Sequence, residues 1–388
     1  MRALGTGDWH AGIGGALTLD DQEQVWHRIV ELAIEQKCDL FLHAGDLFHG
    51  PRCEMEQLAA VRRVFGRLRD YKIPVLLIRG NSVHDLAVRP VDALDVFHDY
   101  DGIYVFTRPA AHVFANVGFA FLPWVSPAQL VAQGNGDIDR DHLDTEVARM
   151  LVEIAGGLRA ELEGLPTVLL GHWSVSSGAL PSGLPLGQLR EPVLEWAELD
   201  ALGFDAIVMG HIHKSQRLND PTLGDATVGF YVGSPQPLSH GEPGEHGAWL
   251  LDIEPGATGN AVSAEFVPID SPKFLTVEGS AETWLTLMES PMREWANAEG
   301  AIIRVRYTAT EAEARRIDHA LIRRELLGAG AARVTIEPTI IRAARARSEA
   351  ITDQLSPLDA LRAYCAAQET DEATTDRMVS TLKEWSEA

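Results

Sequence analysis

The sequence predicts an α/β protein whose core is a β-sandwich flanked by helices. From residue 1 to about residue 270, short apolar runs alternate with amphipathic helical segments, a pattern typical of buried strands covered by helices. Three later apolar runs in this region have turns but no helices between them, which indicates a second, more antiparallel sheet. Two sheets therefore form a sandwich rather than one open sheet.

Five of the apolar runs are candidate strands that end in polar side chains. They are RALGTGD (2–8), DLFLHAGD (39–46), PVLLIRGN (74–81), PTVLLGH (166–172) and DAIVMGH (205–211). The predicted helices are residues 21–36, 54–70 and 140–163, and the later strands are residues 228–233, 247–253 and 263–268. Each run is short enough to cross a sheet once.

A small α+β domain is predicted after residue 270. Residues 274–341 follow the order strand, helix, strand, helix, strand, with AIIRVRY and ARVTIEPTII as two of the strands. Thr308 precedes Glu311 by the spacing of a capping box, which predicts a helix start there. The predicted domains are 1–270, 271–341 and 342–388.

The last segment is predicted to be a helical tail. Ser356 and Pro357 suit the N-cap and the first position of a helix, and DRMVSTLKEW forms a second helical stretch. A basic cluster precedes them: Arg342, Arg345 and Arg347. Two interpretations of the tail remain open, either a docking element for a partner or a helix pair that folds back on its own domain.

Composition and charge limit the class of protein. The chain is 46% hydrophobic and 23% charged, and no apolar run approaches the roughly 20 residues of a membrane span, so we expect no membrane segment. Three widely spaced cysteines form neither a disulfide framework nor a zinc motif, which predicts a cytoplasmic location. The net charge of −23 repels phosphate backbones, so a nucleic-acid substrate requires a local basic patch, bound metal or a partner chain.

Side chains that can bind metals follow all five candidate strands. They are Asp8, His10, Asp46, Asn81, His172, His211 and His213. A glycine beside each strand end permits a tight turn, and the strands of one sheet can direct their carboxyl ends into a shared crevice. Mixed nitrogen and oxygen ligands suit manganese, iron or zinc better than calcium or a structural cysteine-zinc site.

Seven ligands are too many for one ion. They suit two divalent cations about 3.5–4 Å apart that share a carboxylate. Asp46 is the expected bridge because it follows a central strand and carries two oxygens. Such a pair activates a shared water and clamps a phosphate, so the residues alone predict a two-metal phosphoesterase.

The motifs D-x-H, G-D, G-N, G-H and G-H-x-H, in this order, resemble the calcineurin-like metallophosphoesterases over about residues 1–240. Within that superfamily, GDWHAG, GDLFHGP and GHIHK are most similar to the SbcD nucleases of DNA double-strand-break repair and their meiotic-recombination relatives. The small domain and the helical tail are similar as well.

The resemblance implies how the ligands divide between two manganese ions. One ion would be held by Asp8, His10, Asp46 and His213, and the other by Asp46, Asn81, His172 and His211. His49, which closely follows Asp46, is a further candidate for contact with the substrate phosphate, although as an isolated residue it can equally be structural.

The chain departs from the family directly after Asn81. The family has His-Asp there, with the histidine facing the scissile phosphate, whereas this chain has Ser82 and Val83 before His84 and Asp85. In one interpretation the loop is two residues longer, an extended backbone keeps His84 on the same face, and Asp85 orients it and raises its basicity. In the other, the acid is lost and a metal-binding, weakly active protein remains.

Three functions remain open. The SbcD resemblance implies a manganese nuclease, with 3′–5′ exonuclease activity on duplex DNA ends and endonuclease activity on single strands. It also implies an SbcC-type coiled-coil ATPase docked on residues 356–388, a 274–341 domain that caps the site and helps hold DNA, and a homodimer formed near residues 54–70 and 90–98. The alternatives are a phosphoesterase for a small substrate and a scaffold for the ATPase whose nuclease site has decayed.

Overall fold

The chain forms two compact units. The computed structural model describes residues 1–81, 83–85, 93–127, 130, 143–183, 191–219, 227–254, 261–289, 298–341 and 355–387. The first unit comprises residues 1–276, 295–304 and 326–334, and the second comprises residues 277–294, 305–325 and 335–388. The domain boundaries at residues 270 and 341 stay predictions.

The first unit is built from the predicted alternation of strands and helices. Its strands are β1 (Arg2–Thr6), β2 (Leu40–His43), β3 (Val75–Ile78), β4 (Ile103–Phe106), β5 (Ala110–Phe114), β6 (Val117–Leu122), β7 (Thr167–His172), β8 (Ser174–Val175), β9 (Val193–Leu194), β10 (Ala206–Gly210), β11 (Gln216–Arg217), β12 (Val228–Tyr231), β13 (Gly247–Ile253) and β14 (Val262–Pro268). Its helices are α1 (Leu19–Glu35), α2 (Met55–Asp70), α3 (Leu143–Glu161) and α4 (Trp196–Asp200), with a 3₁₀ helix at Ala93–Phe97. The five candidate ligand strands are confirmed as β1, β2, β3, β7 and β10.

Two six-stranded sheets form the sandwich, and the predicted α/β fold class is confirmed. One sheet has the order β14-β13-β1-β2-β3-β4 and the other has the order β11-β12-β10-β7-β6-β5. The predicted separate antiparallel sheet is wrong. Strand β13 instead pairs antiparallel with β1, and β12 pairs parallel with β10, because the edges of β1 and β10 carry backbone groups that need partners.

Strands β4, β5 and β6 were not predicted from the sequence. Strand β5 is an edge strand with no fully buried residue, so its sequence AAHVF lacks a clear apolar face. Strand β6 is buried along its whole length, but Gly118 interrupts its apolar run. Gly118 leaves room for Leu162, whose side-chain atoms lie 3.0–3.2 Å from the position that a Cβ would occupy.

Side-chain alternation divides each strand between two apolar layers. In β2, Leu40 and Leu42 face the core between the sheets, where Leu170 of the opposite sheet also lies. Phe41 faces the other way and belongs to the layer under α1 and α2, together with Trp26. Burial on both faces explains why the ligand strands are continuous apolar runs.

The chain after residue 273 follows the predicted order of strands and helices, except that two helices rather than one connect the last two strands. It contains β15 (Phe274–Ser280), α5 (Ala281–Glu289), β16 (Ile302–Thr310), α6 (Glu311–Ala314), α7 (His319–Gly328) and β17 (Arg333–Ile341), and its strands form a sheet in the order β15-β16-β17. The predicted capping box at Thr308 and Glu311 is wrong. Strand β16 continues for two more residues, so Thr310 and Glu313 form the box.

The predicted helical tail is confirmed as α8 (Pro357–Ala367) and α9 (Glu372–Glu387). The hydroxyl of Ser356 caps α8 by accepting the backbone N–H of Asp359. Cys365 of α8 is buried, and its Sγ lies 4.0 Å from Sδ of Met378 in α9. The basic cluster Arg342, Arg345 and Arg347 lies outside the described residues.

None of the helices in the described ranges combines the length and the apolar character needed to cross a membrane.

We expect Trp26→Ala to lower the free energy of unfolding by about 3–5 kcal/mol, because it empties a large volume in the layer under α1. Trp26 is fully buried and stacks on Trp9 with ring centroids 5.1 Å apart. Urea denaturation followed by circular dichroism measures the change. The matched control is Trp385→Ala, whose side chain is 77% exposed and whose effect should stay within about 0.5 kcal/mol. Equal losses in both variants would contradict this assignment of the core.

Candidate metal centre

The loops that follow β1 and β2 run side by side and carry the first candidate ligands. The backbone N–H of Asp8 donates to the carbonyl of Gly45, and that of His10 donates to the carbonyl of Asp46, both at 3.0 Å. Asp8, His10 and Asp46 have φ values of 50°, 46° and 51°, and His211 has a φ of 90°. Residues other than glycine rarely adopt this left-handed region, and such strain collects at functional sites.

The candidate ligands come together where the two sheets meet, not at the edge of one sheet as the sequence predicted. Strands β1 to β3 belong to one sheet, and β7 and β10 belong to the other. Two groups have ligand atoms within 4.8 Å of one another: Asp8, His10 and His213 form one, and Asp46, His172 and His211 form the other. The grouping follows the predicted division between two ions.

The carboxylate of Asp46 lies between the two groups. Its Oδ2 is 3.6 Å from Nε2 of His10, and its Oδ1 is 3.4 Å from Nε2 of His172. The backbone N–H of Asn81 also donates to Oδ1 at 2.8 Å. Each oxygen therefore faces a different group, as a bridging ligand requires.

The side chain of Asn81 is close to Asp46, but its amide is turned away from ligation. Its Nδ2 donates to Oδ2 of Asp46 at 3.3 Å, and its Oδ1 accepts the backbone N–H of Val83 at 3.1 Å. A metal binds the amide oxygen, since the amide nitrogen has no available lone pair. Ligation by Asn81 therefore requires a rotation of this amide.

The donor atoms fit a pair of divalent cations. Nε2 of His10 and Nε2 of His213 lie only 3.0 Å apart, as two ring nitrogens do when they turn toward a common ligand. Nε2 of His172 is buried and has no hydrogen-bond partner among the described residues. Imidazole and carboxylate donors without a thiolate suit zinc, iron or manganese.

The ionised carboxylate of Asp46 attracts a cation, whereas a proton on the adjacent His172 competes with one. Burial by itself would raise the pKa of the Asp46 carboxyl, but the adjacent His172 and His10 hold it well below its usual value. Burial lowers the pKa of His172, yet Asp46 outweighs burial and raises it to about 9. A divalent cation held by both side chains would have to displace that proton, because ligand nitrogens must be deprotonated.

Gly80 allows the loop after β3 to approach Asp46. A Cβ at Gly80 would lie 2.0 Å from Oδ1 and 2.2 Å from the backbone nitrogen of Asp46. Both distances are far shorter than any real carbon contact, so only glycine fits. The close approach of this loop to Asp46 therefore explains why residue 80 is a glycine, as expected from the sequence.

His84 reaches the centre through a turn, so the expected extended backbone is wrong. The backbone N–H groups of His84 and Asp85 both donate to the carbonyl of Asn81 at 3.1 Å, which closes a helical turn. Nδ1 of His84 donates to the carbonyl of His49 at 2.5 Å, and its Nε2 lies 3.9 Å from Oδ2 of Asp46. The turn brings the imidazole of His84 beside the candidate bridge.

Asp85 does not orient His84 as predicted. Its fully buried carboxylate accepts backbone N–H groups of Leu47 at 3.2 Å, Phe48 at 2.9 Å and Gly80 at 2.9 Å. Burial, together with a neighbouring aspartate, raises the pKa of Asp85 to about 7. The carboxylate therefore joins the loops after β2 and β3, while a backbone carbonyl orients His84.

The conformation of the β2 loop explains why it attracts a carboxylate. Gly45 and Asp46 have consecutive positive φ values of 93° and 51°. Each buried backbone N–H group in this loop needs an acceptor, and one buried carboxylate can serve two of them. The N–H groups of Leu47 and Phe48 are the donors that Asp85 fills.

His49 lies at the partly exposed edge of the cluster. Its ring centroid is 5.6 Å from that of His10 and 5.4 Å from that of His84. The three histidines form another group with ligand atoms within 4.8 Å of one another. Burial lowers the pKa of His49, which favours a neutral ring.

Two glutamates at the centre were missed by the sequence analysis. Oε1 of Glu191 lies 2.8 Å from Nε2 of His211, and Oε1 of Glu242 lies 2.9 Å from Nδ1 of His213. The paired residues are 20 and 29 positions apart in the chain. The glutamates follow no strand and share no motif with the histidines, so no sequence signal indicates them.

The sequence match decides the family. Residues 1–215, more than half of the 388 residues, match the family model for calcineurin-like phosphoesterases. The chain belongs to this family. As a calcineurin-like phosphoesterase it is a metal-dependent hydrolase, and its two ligand groups suggest two divalent metals.

Two solved structures resemble this calcineurin-like phosphoesterase. A dimetal phosphatase from Danio rerio has 12% sequence identity and a TM-score of 0.41, and the match covers 64% of this chain and 91% of that one. A protein from Thermus thermophilus has 13% identity and a TM-score of 0.38, with coverage of 68% of this chain and 98% of that one. Family membership rests on the sequence match, not on these likenesses.

We expect Gly80→Ala to weaken divalent-cation binding sharply, because the added methyl group displaces Asp46. Calorimetric titration of the metal-stripped chain with Mn²⁺ measures this. Gly157→Ala is the matched control, since Gly157 lies on the exposed face of α3 with no atom within 4 Å of the added carbon. Wild-type affinity in Gly80→Ala would contradict the placement of Asp46.

We expect Asp85→Ala to lower the free energy of unfolding by at least about 1–3 kcal/mol, because it leaves buried backbone donors unpaired. Hydrogen exchange should quicken at the amides of Leu47, Phe48 and Gly80, which lose their acceptor. Asp101→Ala, at an exposed turn, is the control and should change neither. Unchanged protection at all three amides in Asp85→Ala would show that another group holds the loops.

Proposed function

We propose that this calcineurin-like phosphoesterase is an SbcD-type DNA nuclease that uses two manganese ions. It acts as a 3′–5′ exonuclease on duplex ends and as an endonuclease on single strands, in the repair or processing of DNA breaks. The observation that carries the proposal is the imidazole of His84, whose Nε2 lies 3.9 Å from Oδ2 of Asp46, beside the two ligand groups. The GDWHAG, GDLFHGP and GHIHK motifs support the nuclease branch of the family.

His84 is the candidate general acid. The carbonyl of His49 accepts Nδ1–H, so Nε2 is the atom that can give a proton to the leaving oxygen. The cations, when bound, polarise the phosphoryl oxygens and neutralise charge that develops there. The ring of His49 is a candidate contact for the same phosphate, since it lies beside His84 at the partly exposed edge.

The proposal favours an active nuclease over a decayed scaffold. The scaffold hypothesis rested only on Ser82 and Val83, which occupy the positions of the family's His-Asp pair. The position of His84 beside Asp46 supports the active nuclease instead. The small-substrate alternative has one observation in its favour, the net charge of −23, which repels a polyanion.

Partners form part of the proposal. An SbcC-type coiled-coil ATPase docks on α8 and α9, and the 47% exposed Tyr364 and the 77% exposed Trp385 support this surface. A homodimer forms near α2 and the 3₁₀ helix, where Met55 is 78% and Val96 is 45% exposed. DNA is the third proposed partner. Action on chromosomal DNA implies a cytoplasmic location.

Substrate competition separates a nuclease from a small-substrate phosphoesterase. The purified chain with Mn²⁺, alone and with its ATPase partner, is incubated separately with linear plasmid DNA, with single-stranded circular DNA and with a chromogenic phosphodiester. The proposal expects shortening of duplex ends and cutting of single-stranded circles. Hydrolysis of the chromogenic ester with no DNA cleavage in either mixture would overturn the nuclease assignment.

We expect His84→Ala to lower the turnover rate on DNA by about 10²–10⁴-fold, the usual contribution of proton transfer, while Mn²⁺ binding persists. His112→Ala is the matched control, because His112 is exposed on β5 and its ring lies beside Tyr104 rather than at the centre. Full activity in His84→Ala would remove this residue from the mechanism. Loss of Mn²⁺ binding in the same variant would make it a metal-site residue instead.

A further inference from the structure

The two histidines of the GHIH motif each contact a different glutamate. His211 contacts Glu191 through Nε2 at 2.8 Å, and His213 contacts Glu242 through Nδ1 at 2.9 Å. The four side chains are between 11% and 30% exposed, so they are partly shielded from water. The contacts use opposite nitrogens of the two rings.

The contacts determine which nitrogen of each ring carries a proton. An ionised carboxylate is only an acceptor, so the ring nitrogen that faces it must be the donor. His211 therefore carries its proton on Nε2 and presents the lone pair of Nδ1. His213 carries its proton on Nδ1 and presents the lone pair of Nε2.

The two histidines belong to different ligand groups. Nε2 of His213 lies 3.0 Å from Nε2 of His10, within the group that includes Asp8. His211 belongs to the group with Asp46 and His172. Each glutamate therefore contacts a histidine of one ligand group only.

Other contacts hold the two glutamates in place. The second oxygen of Glu242 accepts the backbone N–H of Leu238 at 2.9 Å. Oε1 of Glu191 accepts the hydroxyl of Ser174, which lies two residues after His172. Anchored carboxylates can fix both the tautomer and the angle of a ligand ring.

We infer that Glu191 and Glu242 are positioning residues that prepare one histidine each for a different metal ion. Glu242 orients His213 for the ion shared with Asp8 and His10, and Glu191 orients His211 for the ion shared with His172. The inference rests on the two-metal centre of the proposed function.

Calorimetric titration of the metal-stripped full chain with Mn²⁺ tests the inference. Glu191→Gln and Glu242→Gln should each weaken one of the two ion sites by about 10–100-fold, the usual effect of losing such a partner, and leave the other site unchanged. Glu195→Gln and Glu245→Gln are the matched controls, because both are exposed and lie close in sequence to the tested residues. Neither control should change the isotherm.

Combined variants show which site each glutamate serves. In a His211→Ala chain, Glu242→Gln should still weaken the remaining site, whereas Glu191→Gln should add nothing, since its partner is absent. In a His213→Ala chain we expect the reverse: Glu191→Gln should weaken the remaining site, and Glu242→Gln should add nothing. A glutamate with a merely structural role would weaken Mn²⁺ binding equally in both backgrounds, and that result would overturn the inference.

Two further results separate this inference from the function on which it rests. Two tight sites in the wild type, with unchanged isotherms in both Gln variants, would overturn only the role of the glutamates. Fewer than two tight sites in the wild type would overturn the metal centre and this inference together.

Circular dichroism of the metal-free variants checks folding. If a Gln variant is unfolded, the Glu→Asp variant at that position is measured instead. Its shorter side chain cannot reach the histidine ring, so wild-type Mn²⁺ affinity in this variant would count against the inference.

Discussion

A single carboxylate, that of Asp46, constrains the geometry of the whole centre. Its two oxygens lie 3.6 Å from His10 and 3.4 Å from His172, which come from opposite sheets of the sandwich. The neighbouring loops therefore have to approach more closely than ordinary side chains allow. The left-handed backbone at Asp46 and the absence of a Cβ at Gly80 both follow from that requirement.

The same requirement shapes the loop that follows Asn81. A helical turn closes there, and the carboxylate of Asp85 joins that turn to the backbone beyond Asp46. The ring of His84 then meets the carbonyl of His49, which fixes its orientation. The role of a side chain depends on its position in space, so its place in the sequence can shift if the backbone conformation compensates.

The identity of the candidate ligands could be predicted because each closes a strand. Apolar runs of four to six residues that end in Gly-Asp, Gly-Asn or Gly-His indicate buried strands with polar carboxyl ends, and the structure confirms all five strands. Their division between two sheets could not be predicted, because strand pairing depends on contacts between distant segments. Strand β5 escaped prediction because it lies at an exposed edge, and β6 because Gly118 interrupts its apolar run.

Residue order alone was sufficient for the fold class and for naming the candidate ligands, since both depend on local patterns within a few residues. Three-dimensional contacts were needed to assign Asp85 to the backbone of Phe48, Glu191 to His211 and Glu242 to His213. Those partners are separated by 37, 20 and 29 positions. Hydrogen bonds over such distances follow from where the loops meet in the folded chain, and no periodic pattern records them.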